Sequence, residues 1–499
     1  MTQHILIIGG GLGGLFTGAF LAKEGYQITV LEKNQIIGGG LQCFTRKGET
    51  YETGMHILGG FQPGGNLNKI CRYLGILDKL AIRPTDDDAI DSITITPENR
   101  TFCIPRGHQN FLEYFATQFP EERQNLQDYM QAMYRLCDEV DLYHLRKSQS
   151  IMVEHSDEFT LPADQFIAKY IHTPLLQKVL AYMNTMYGGM ADYTPAYIHA
   201  LINVLYIEGS SQFEGGSQQL ADALQEVITT HGGQVLAGDA VTRIEVANRM
   251  VQSVSTAKGH TYTADHYISA IHPCAMLSLT GPDAFPKAYR TRLEEITNSY
   301  SSFTVYIQFK PGTQPYVNHP RYFLDSDIDL WNLHKYDTQT WPAGFMTLTP
   351  PAQNQGPWAS RMIINCIMPF EAVSQWTDTT VGRRGTDYEQ WKQERMQTVI
   401  NKLEQSIPGI KNNIQYCFAA TPLTIRDYYA TKDGAIYGYM RDAHNIMHSQ
   451  VPIATKVRNL YLTGQNVNLH GICGVPLTAI EVTEAFIGRG NLIDKINQA

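Results

Sequence analysis

Long apolar runs are missing from this 499-residue chain: no window of about 18 uninterrupted apolar residues occurs, so a membrane-spanning helix is not expected. The eight cysteines (Cys43, Cys71, Cys103, Cys137, Cys274, Cys366, Cys417 and Cys473) are scattered, with no C-x-x-C pair and no metal-ligand spacing. That argues against a bound metal and against a disulfide framework, and for free thiols in a reducing, cytoplasmic setting. Positive charge is also scarce. With 39 Lys and Arg against 48 Asp and Glu the net charge is -9, which favours neither nucleic acid nor strong attraction to anionic lipid and leaves at most a peripheral membrane contact. No basic, apolar and cleavage regions precede the first strand, so no secretion signal is expected. G-x-S-x-G, H-E-x-x-H and Walker lysine motifs are all lacking, which disfavours hydrolase, metalloprotease and P-loop chemistry.

What is present is globular. Hydrophobic residues make up 43% and charged residues 17% of the chain, without low-complexity tracts or repeats, and the length suggests two or three domains at roughly 100 to 200 residues each. His4 to Ile8 (HILII) reads as a strand buried on both faces of a parallel sheet. Directly after it, Gly9, Gly11 and Gly14 have the spacing G-x-G-x-x-G, in which the lack of a Cβ allows a tight turn, close approach of a diphosphate and close packing of the next helix. Leu15, Ala19 and Ala22 recur at i, i+4 and i+7 and predict an amphipathic helix ending near Gly25. Gln27 to Leu31 reads as a second strand. Glu32 ends it where an acid accepts hydrogen bonds from ribose hydroxyls, with Lys33 beside it. Strand, glycines, helix, strand and acid in this order predict a dinucleotide site. No second such fingerprint follows a strand elsewhere, so a separate NAD(P)H domain is not expected.

The segments LEKNQIIGGGLQCF (31–44) and YETGMHILGG (51–60) place a second glycine cluster just after the ribose acid. In this the chain resembles the flavoprotein superfamily of phytoene desaturases, carotenoid isomerases, retinol saturases, amine oxidases and GDP-dissociation inhibitors. The resemblance implies FAD as cofactor, with Gly38 and Gly39 passing near its phosphates and ribityl chain. Many members follow that pair with Arg; here Gly40 and Leu41 follow, so no such Arg contact carries over. The block FEGGSQQLADALQEVITTHGGQVLAGDAVTRIEV from Phe213 resembles the return to the nucleotide domain, where Val241 would hold the adenine through its backbone. In NLYLTGQNVNLHGICGVPLTAIEVTEAF (459–486) the resemblance sets Gly464, Gln465 and Asn466 against the ribityl and diphosphate. It aims a helix start near Gly474 and Val475, with Pro476 in its first turn, at the pyrimidine edge of the flavin, where the helix would favour the anionic reduced ring. TPLTIRDYYATKDGAIYGY (421–439) and TGQN (463–466) resemble the phytoene desaturase and retinol saturase branch.

The expected fold is α/β: a discontinuous Rossmann-type FAD-binding domain from residues 1–75, 205–285 and 440–499, with an inserted α+β substrate domain from 76–204 and 286–439. Within the insert, 108–148 and 163–206 read as helices, while 301–310 and 360–368 read as strands of a sheet beneath the cofactor. Tyr182, Met183, Met186, Tyr187, Met190, Tyr193, Tyr197 and Tyr206 form either a packed helical core or the wall of a tunnel for a long apolar substrate. Candidates for moving a proton are His56, His470 and Tyr437, and Cys473 is a candidate covalent link to the flavin. The expected activity is saturation or desaturation of carbon–carbon double bonds in a polyene- or isoprenoid-like substrate. A redox-neutral polyene isomerase, an amine oxidase and a flavin-free prenyl or lipid carrier are the rivals.

Overall fold

A computed structural model describes residues 2–148 and 154–499. The strand β1 (His4–Ile8) lies in the middle of a five-stranded sheet whose order is 460–462, 266–269, 4–8, 27–31 and 234–236. Every pairing in it is parallel, and Ile5 to Ile8 are buried throughout, as strands covered on both faces require. The helix α1 (Leu12–Lys23) follows β1, and β2 (Gln27–Leu31) runs parallel to it. Gly25, at φ +91°, turns the chain between them.

The expected amphipathicity of α1 is not found. Residues 13–22 are all buried, because the helix is sandwiched between the sheet and the helices Gln218–Thr230 and Gly471–Ile487. A helix covered on every side carries an apolar residue at almost every position instead of a stripe. A three-stranded antiparallel sheet (241–247, 250–256, 261–262) flanks this layer, and the helix Lys287–Glu295 packs onto the same core through Leu293.

The second large sheet has seven strands in the order 414–420, 301–309, 361–368, 344–348, 321–325, 91–96 and 100–104. Its period of two decides what each face does. Phe303, Val305 and Ile307 pair with Cys366, Ile364 and Met362 on the outer face, where they pack against Met396, Val399 and Leu403 of the helix Thr386–Ser406. Each such side chain contributes roughly 1.5–3 kcal/mol on burial. The alternate residues Ser302, Thr304, Asn365 and Ile367 face inward, onto a cavity. Helices 108–118, 123–138, 163–170, 174–180 and 196–209 close the other side.

In that helical layer most of the Tyr and Met cluster is core. Tyr187 and Tyr129 hydrogen-bond the two ring nitrogens of buried His199 at 2.9 and 2.7 Å, Tyr182 donates to Asp91 at 2.9 Å, and Tyr197 stacks on Phe159. Only Met186 and Tyr206 of the eight reach the large cavity, so the tunnel reading holds for two residues and fails for six. Among the described residues no helix is long and apolar enough to cross a membrane, and no group of metal-ligating side chains gathers.

Candidate functional site

The carboxyl ends of four parallel strands open onto one cavity of about 820 Å³: Gly9 follows β1, Glu32 follows β2, Ala270 follows 266–269 and Gly464 follows 460–462. Ligands of open parallel sheets sit at this edge. The glycines there divide into those the protein itself requires and those it does not. Gly9 has φ +105°, and its N–H donates to Leu31 O at 2.8 Å. A Cβ on Gly14 would stand 2.0 Å from Gly9 O, and one on Gly13 would stand 2.7 Å from Gly464 Cα. Both are needed for α1 to pack. Gly11 differs: its φ of -82° suits any residue, and an added Cβ would meet only Gly39 Cα, at 3.8 Å. Among the described residues nothing demands glycine at 11, and its bare backbone lies on the cavity wall. Gly13, equally necessary, is missed by the G-x-G-x-x-G spacing because its clash is with a strand end far away in sequence.

Glu32 is buried, and each of its oxygens accepts a backbone N–H at 2.8 Å, Gly10 on Oε2 and Asn34 on Oε1. The carboxylate is thereby fixed on the cavity wall with remaining lone pairs to accept hydroxyls. Lys33 also lines the cavity, but its ammonium is held by Asp427 O at 2.6 Å. Gly38 bonds Gly10 O through its N–H at 2.7 Å and lies behind the wall, whereas Gly39 is on it. Val241, Gln465, Asn466 and Val475 are also on the wall. Gly14, Gly38 and Gly474 are not; they shape the backbone. Residues 270–272, to which no motif in the sequence points, join the wall at the end of the strand His266–Ser269, whose apolar YIS run is the signal available for them.

The terminal helix corrects the expected position of its start. It begins at Gly471, so Pro476 lies inside it instead of in its first turn, and removes the N–H that would reach Ile472 O. The helix end presented to the cavity is therefore Gly471 to Cys473, directly before Gly474, with Val475 also on the wall. A Cβ on Gly474 would fall 2.4 Å from Leu469 Cβ, which explains the glycine there as a packing requirement.

His56, His470 and Tyr437 all border the cavity, in different chemical states. His56 Nδ1 lies 3.1 Å from Glu52 Oε2, with the two side chains only 8% and 4% exposed. The Glu52 carboxyl holds the ring at Nδ1, so exchange with a molecule in the cavity falls to Nε2. His470 is buried, its Nε2 has no partner among the described residues, and burial followed by the nearby Arg441 lowers it to about 3. It is neutral near pH 7. The Tyr437 hydroxyl donates to Thr185 O at 2.9 Å, and desolvation pushes its pKa well above the ordinary tyrosine range. Cys473 accepts from Asn66 Nδ2, and burial raises its thiol to about 12. The thiol thus stays protonated, the form that does not attack as a nucleophile.

Away from the glycines one stretch of the wall is apolar, while another, with Asp327, Asp329, Lys335 and Asp337, is polar and charged. Ile202, Leu205 and Tyr206 come from the helix 196–209, Met186 from the segment before it, and Leu324, Phe345, Met346 and Ile367 from the seven-stranded sheet. A polar pair, Thr304 with Asn365 at 2.8 Å, interrupts it, and the ion pair Lys402–Asp325 stands at its far end.

Residues 12–345 match the family model described as flavin containing amine oxidoreductase. The chain is 24% identical over 538 residues to all-trans-retinol 13,14-reductase of Macaca fascicularis, covering 97% of this chain and 85% of that protein. It is also 24% identical over 462 residues to prolycopene isomerase 2, chloroplastic, of an Oncidium hybrid cultivar, covering 87% and 75%. Among solved structures, an oxidoreductase from Methanosarcina mazei superposes with a TM-score of 0.65 at 16% identity, covering 97% of this chain and 100% of that one.

Proposed function

The chain belongs to the flavin containing amine oxidoreductase family, with FAD as its cofactor, and on that premise we propose an oxidoreductase that adds or removes hydrogen across a carbon–carbon double bond of a long apolar polyene. The observation that carries this reading is the continuity of one cavity from the glycine cleft into an apolar chamber. A site of this kind buries an extended hydrocarbon at about 25 cal/mol per Å². In this reading residues 1–75, 205–285 and 440–499 hold the cofactor, and 76–204 with 286–439 hold the substrate.

The residues fit FAD. The open Cβ position of Gly11 with Gly39 opposite it leaves room for a diphosphate against the start of α1. Glu32 accepts the ribose hydroxyls, Val241 borders the adenine end, and Gly464 to Asn466 line the middle of the cofactor. Bound FAD supplies the centre that accepts or donates hydride. The protein's own part is to align the polyene between the sheet face and Met186, to keep water out with the helical layer, and to move one proton. His56 is built to move it, since Glu52 fixes the ring through Nδ1 while Nε2 gives a proton to, or takes one from, a substrate carbon. His470, neutral and with no partner for its Nε2 among the described residues, keeps one charge state near pH 7, and Tyr437 lines the pocket beside it.

Reconstituted protein supplied with all-trans-retinol and a chemical reductant is expected to yield a product heavier by two hydrogens, read by mass spectrometry. His56→Ala should slow turnover by about 10²–10⁴-fold with FAD still bound. The prolycopene isomerase match supports a second reading, redox-neutral isomerisation, and a product of unchanged mass with altered double-bond geometry would select it. A purified protein that takes up no FAD would defeat both.

A further inference from the structure

Ser302, Thr304 and Asn365 bring polar groups to the sheet side of the cavity. Both hydroxyl protons are spent inside the protein: Ser302 Oγ donates to Cys366 O at 3.1 Å, and Thr304 Oγ1 donates to Asn365 Oδ1 at 2.8 Å. The other oxygen near the Thr304 hydroxyl, Ser302 Oγ at 3.5 Å, is too far to compete. The Asn365 carbonyl is therefore turned toward Thr304 and its NH2 away from it. Asn365 Nδ2 has no hydrogen-bond partner among the described residues, and the half-buried side chain stands on the cavity wall.

Strand register sets this amide in a row that crosses four strands: Thr304 pairs with Asn365, Asn365 with Met346, and Met346 with Tyr322. All four border the cavity. At about 4.8 Å per strand spacing the row is roughly 14 Å long. The amide is thus a lone donor between a hydroxyl whose proton is already committed and the apolar surface of Met346 and the Tyr322 ring. A hydrocarbon pressed against the row would strip water from the amide N–H groups and return nothing, leaving them unpaired. An oxygen lone pair replaces the water that it displaces.

We propose that Asn365, held in orientation by Thr304, is a specificity-determining residue that donates to an oxygen of the substrate, so that the chamber selects an oxygen-bearing polyene, alcohol or carbonyl, over a hydrocarbon of the same skeleton. The acceptor lone pair is common to both oxygens, and a hydroxyl finds in addition the lone pairs of Thr304 Oγ1. The inference rests on the polyene reading above and adds to it the chemical class of the substrate and the residue that reads it.

The test uses the full-length, FAD-loaded protein in its oxidised form. It is offered, in neutral-detergent micelles, an equal mixture of all-trans-retinol, all-trans-retinal and the hydrocarbon of the same skeleton that carries hydrogen in place of the hydroxyl. The polyenes retained by the protein are read by mass spectrometry, and comparison of wild type with variants on the same micelles cancels the partition of each polyene into detergent. Asn365→Leu, which removes the donor and adds apolar surface, should lower the ratio of oxygenated polyene to hydrocarbon by about tenfold or more. Thr304→Val, which keeps the amide but removes the proton that fixes it, should lower the ratio about threefold. A fall confined to the alcohol or to the aldehyde supports the proposal and assigns the bound oxygen as hydroxyl or carbonyl. An unchanged ratio in Asn365→Leu, with flavin bands and thermal transition as in wild type, overturns it. Should that variant not retain FAD, an unchanged ratio in Thr304→Val overturns it instead. Wild-type protein that shows flavin bands but retains none of the three polyenes would defeat the polyene reading itself, and this inference with it.

Discussion

At one end of the cavity the wall is backbone, and at the other it is side chains. Around Gly9, Gly11, Gly13, Gly39 and Gly464 the structure clears space by omitting Cβ atoms and holds the remaining peptide groups through hydrogen bonds such as Gly9 N to Leu31 O and Glu32 to Gly10 and Asn34. Around Met186, Tyr206, Leu324 and Met346 the wall consists of side-chain surface contributed by a helical layer and a sheet. The difference teaches which half tolerates change. A cradle made of absent atoms fails when any atom is added, whereas a wall of flexible apolar groups changes its shape and goes on enclosing hydrocarbon.

The sharpest way to break this contrast lies within the glycines themselves. Gly14→Val puts a side chain 2.0 Å from Gly9 O and should prevent folding, a destabilisation above about 4 kcal/mol visible as loss of the cooperative thermal transition. Gly11→Val meets no protein atom closer than 3.8 Å at Cβ and should leave the thermal transition of the apoprotein within a few degrees of wild type, yet abolish the flavin bands. If Gly11→Val retained FAD, the division between structural and ligand-serving glycines would be wrong.

The same division explains what the sequence revealed. Gly9, Gly11, Gly14 and Glu32 lie within 24 residues, and each answers to a local requirement, so spacing alone exposes them. The strand face carrying Thr304, Asn365 and Ile367 was foreseeable as a strand, by alternation, but not as part of the site, because which face meets the cavity depends on the helix Thr386–Ser406 covering the other. Gly13 escaped notice since its clashing partner, Gly464, is brought near only by the completed sheet. Pro476 misled for a local reason: proline favours the first turn of a helix, and here close packing at Gly474 and Leu469 carries the helix one turn farther back. Of the Tyr and Met cluster, only tertiary structure separates Met186 and Tyr206 from their buried neighbours.

Asp91 sharpens the comparison from the substrate side, in the core behind the wall. Its Oδ2 accepts from Tyr182, its Oδ1 has no partner among the described residues, and burial raises its pKa to about 8. The folded state therefore holds a proton that the unfolded state releases near 3.8. Stability from this group is full below about pH 4 and declines as pH rises toward 8, where the carboxylate is forced to ionise without a cation. Asp91→Asn, which keeps the acceptor for Tyr182 and cannot ionise, should remove that decline. Relative to wild type it should gain on the order of 4–5 kcal/mol between pH 4 and pH 8 in urea unfolding. Parallel pH profiles for the two proteins would show that Asp91 is ionised and solvated in the native state, and that the core behind the substrate wall is wetter than the cofactor end.

The smallest effect is the one that most directly opposes wall to cradle. Met186 lies on the cavity surface at the junction of the helical layer and the sheet, where its removal opens space to the chamber but touches none of the glycine backbone. Met186→Ala should shift the ratio of kcat/KM values toward a polyene one isoprenoid unit longer by about tenfold, the effect of a few methylenes of pocket volume, or roughly 1–2 kcal/mol. The FAD dissociation constant and the position of the visible band should not move. If flavin affinity fell together with the change in chain-length preference, the two ends of the cavity would be mechanically coupled through the segment 185–187, and the separation of a rigid backbone cradle from an adaptable side-chain wall would have to be given up. If neither changed, the polyene would not pass Met186, and its path would have to run along Leu324 and Met346 on the sheet side instead.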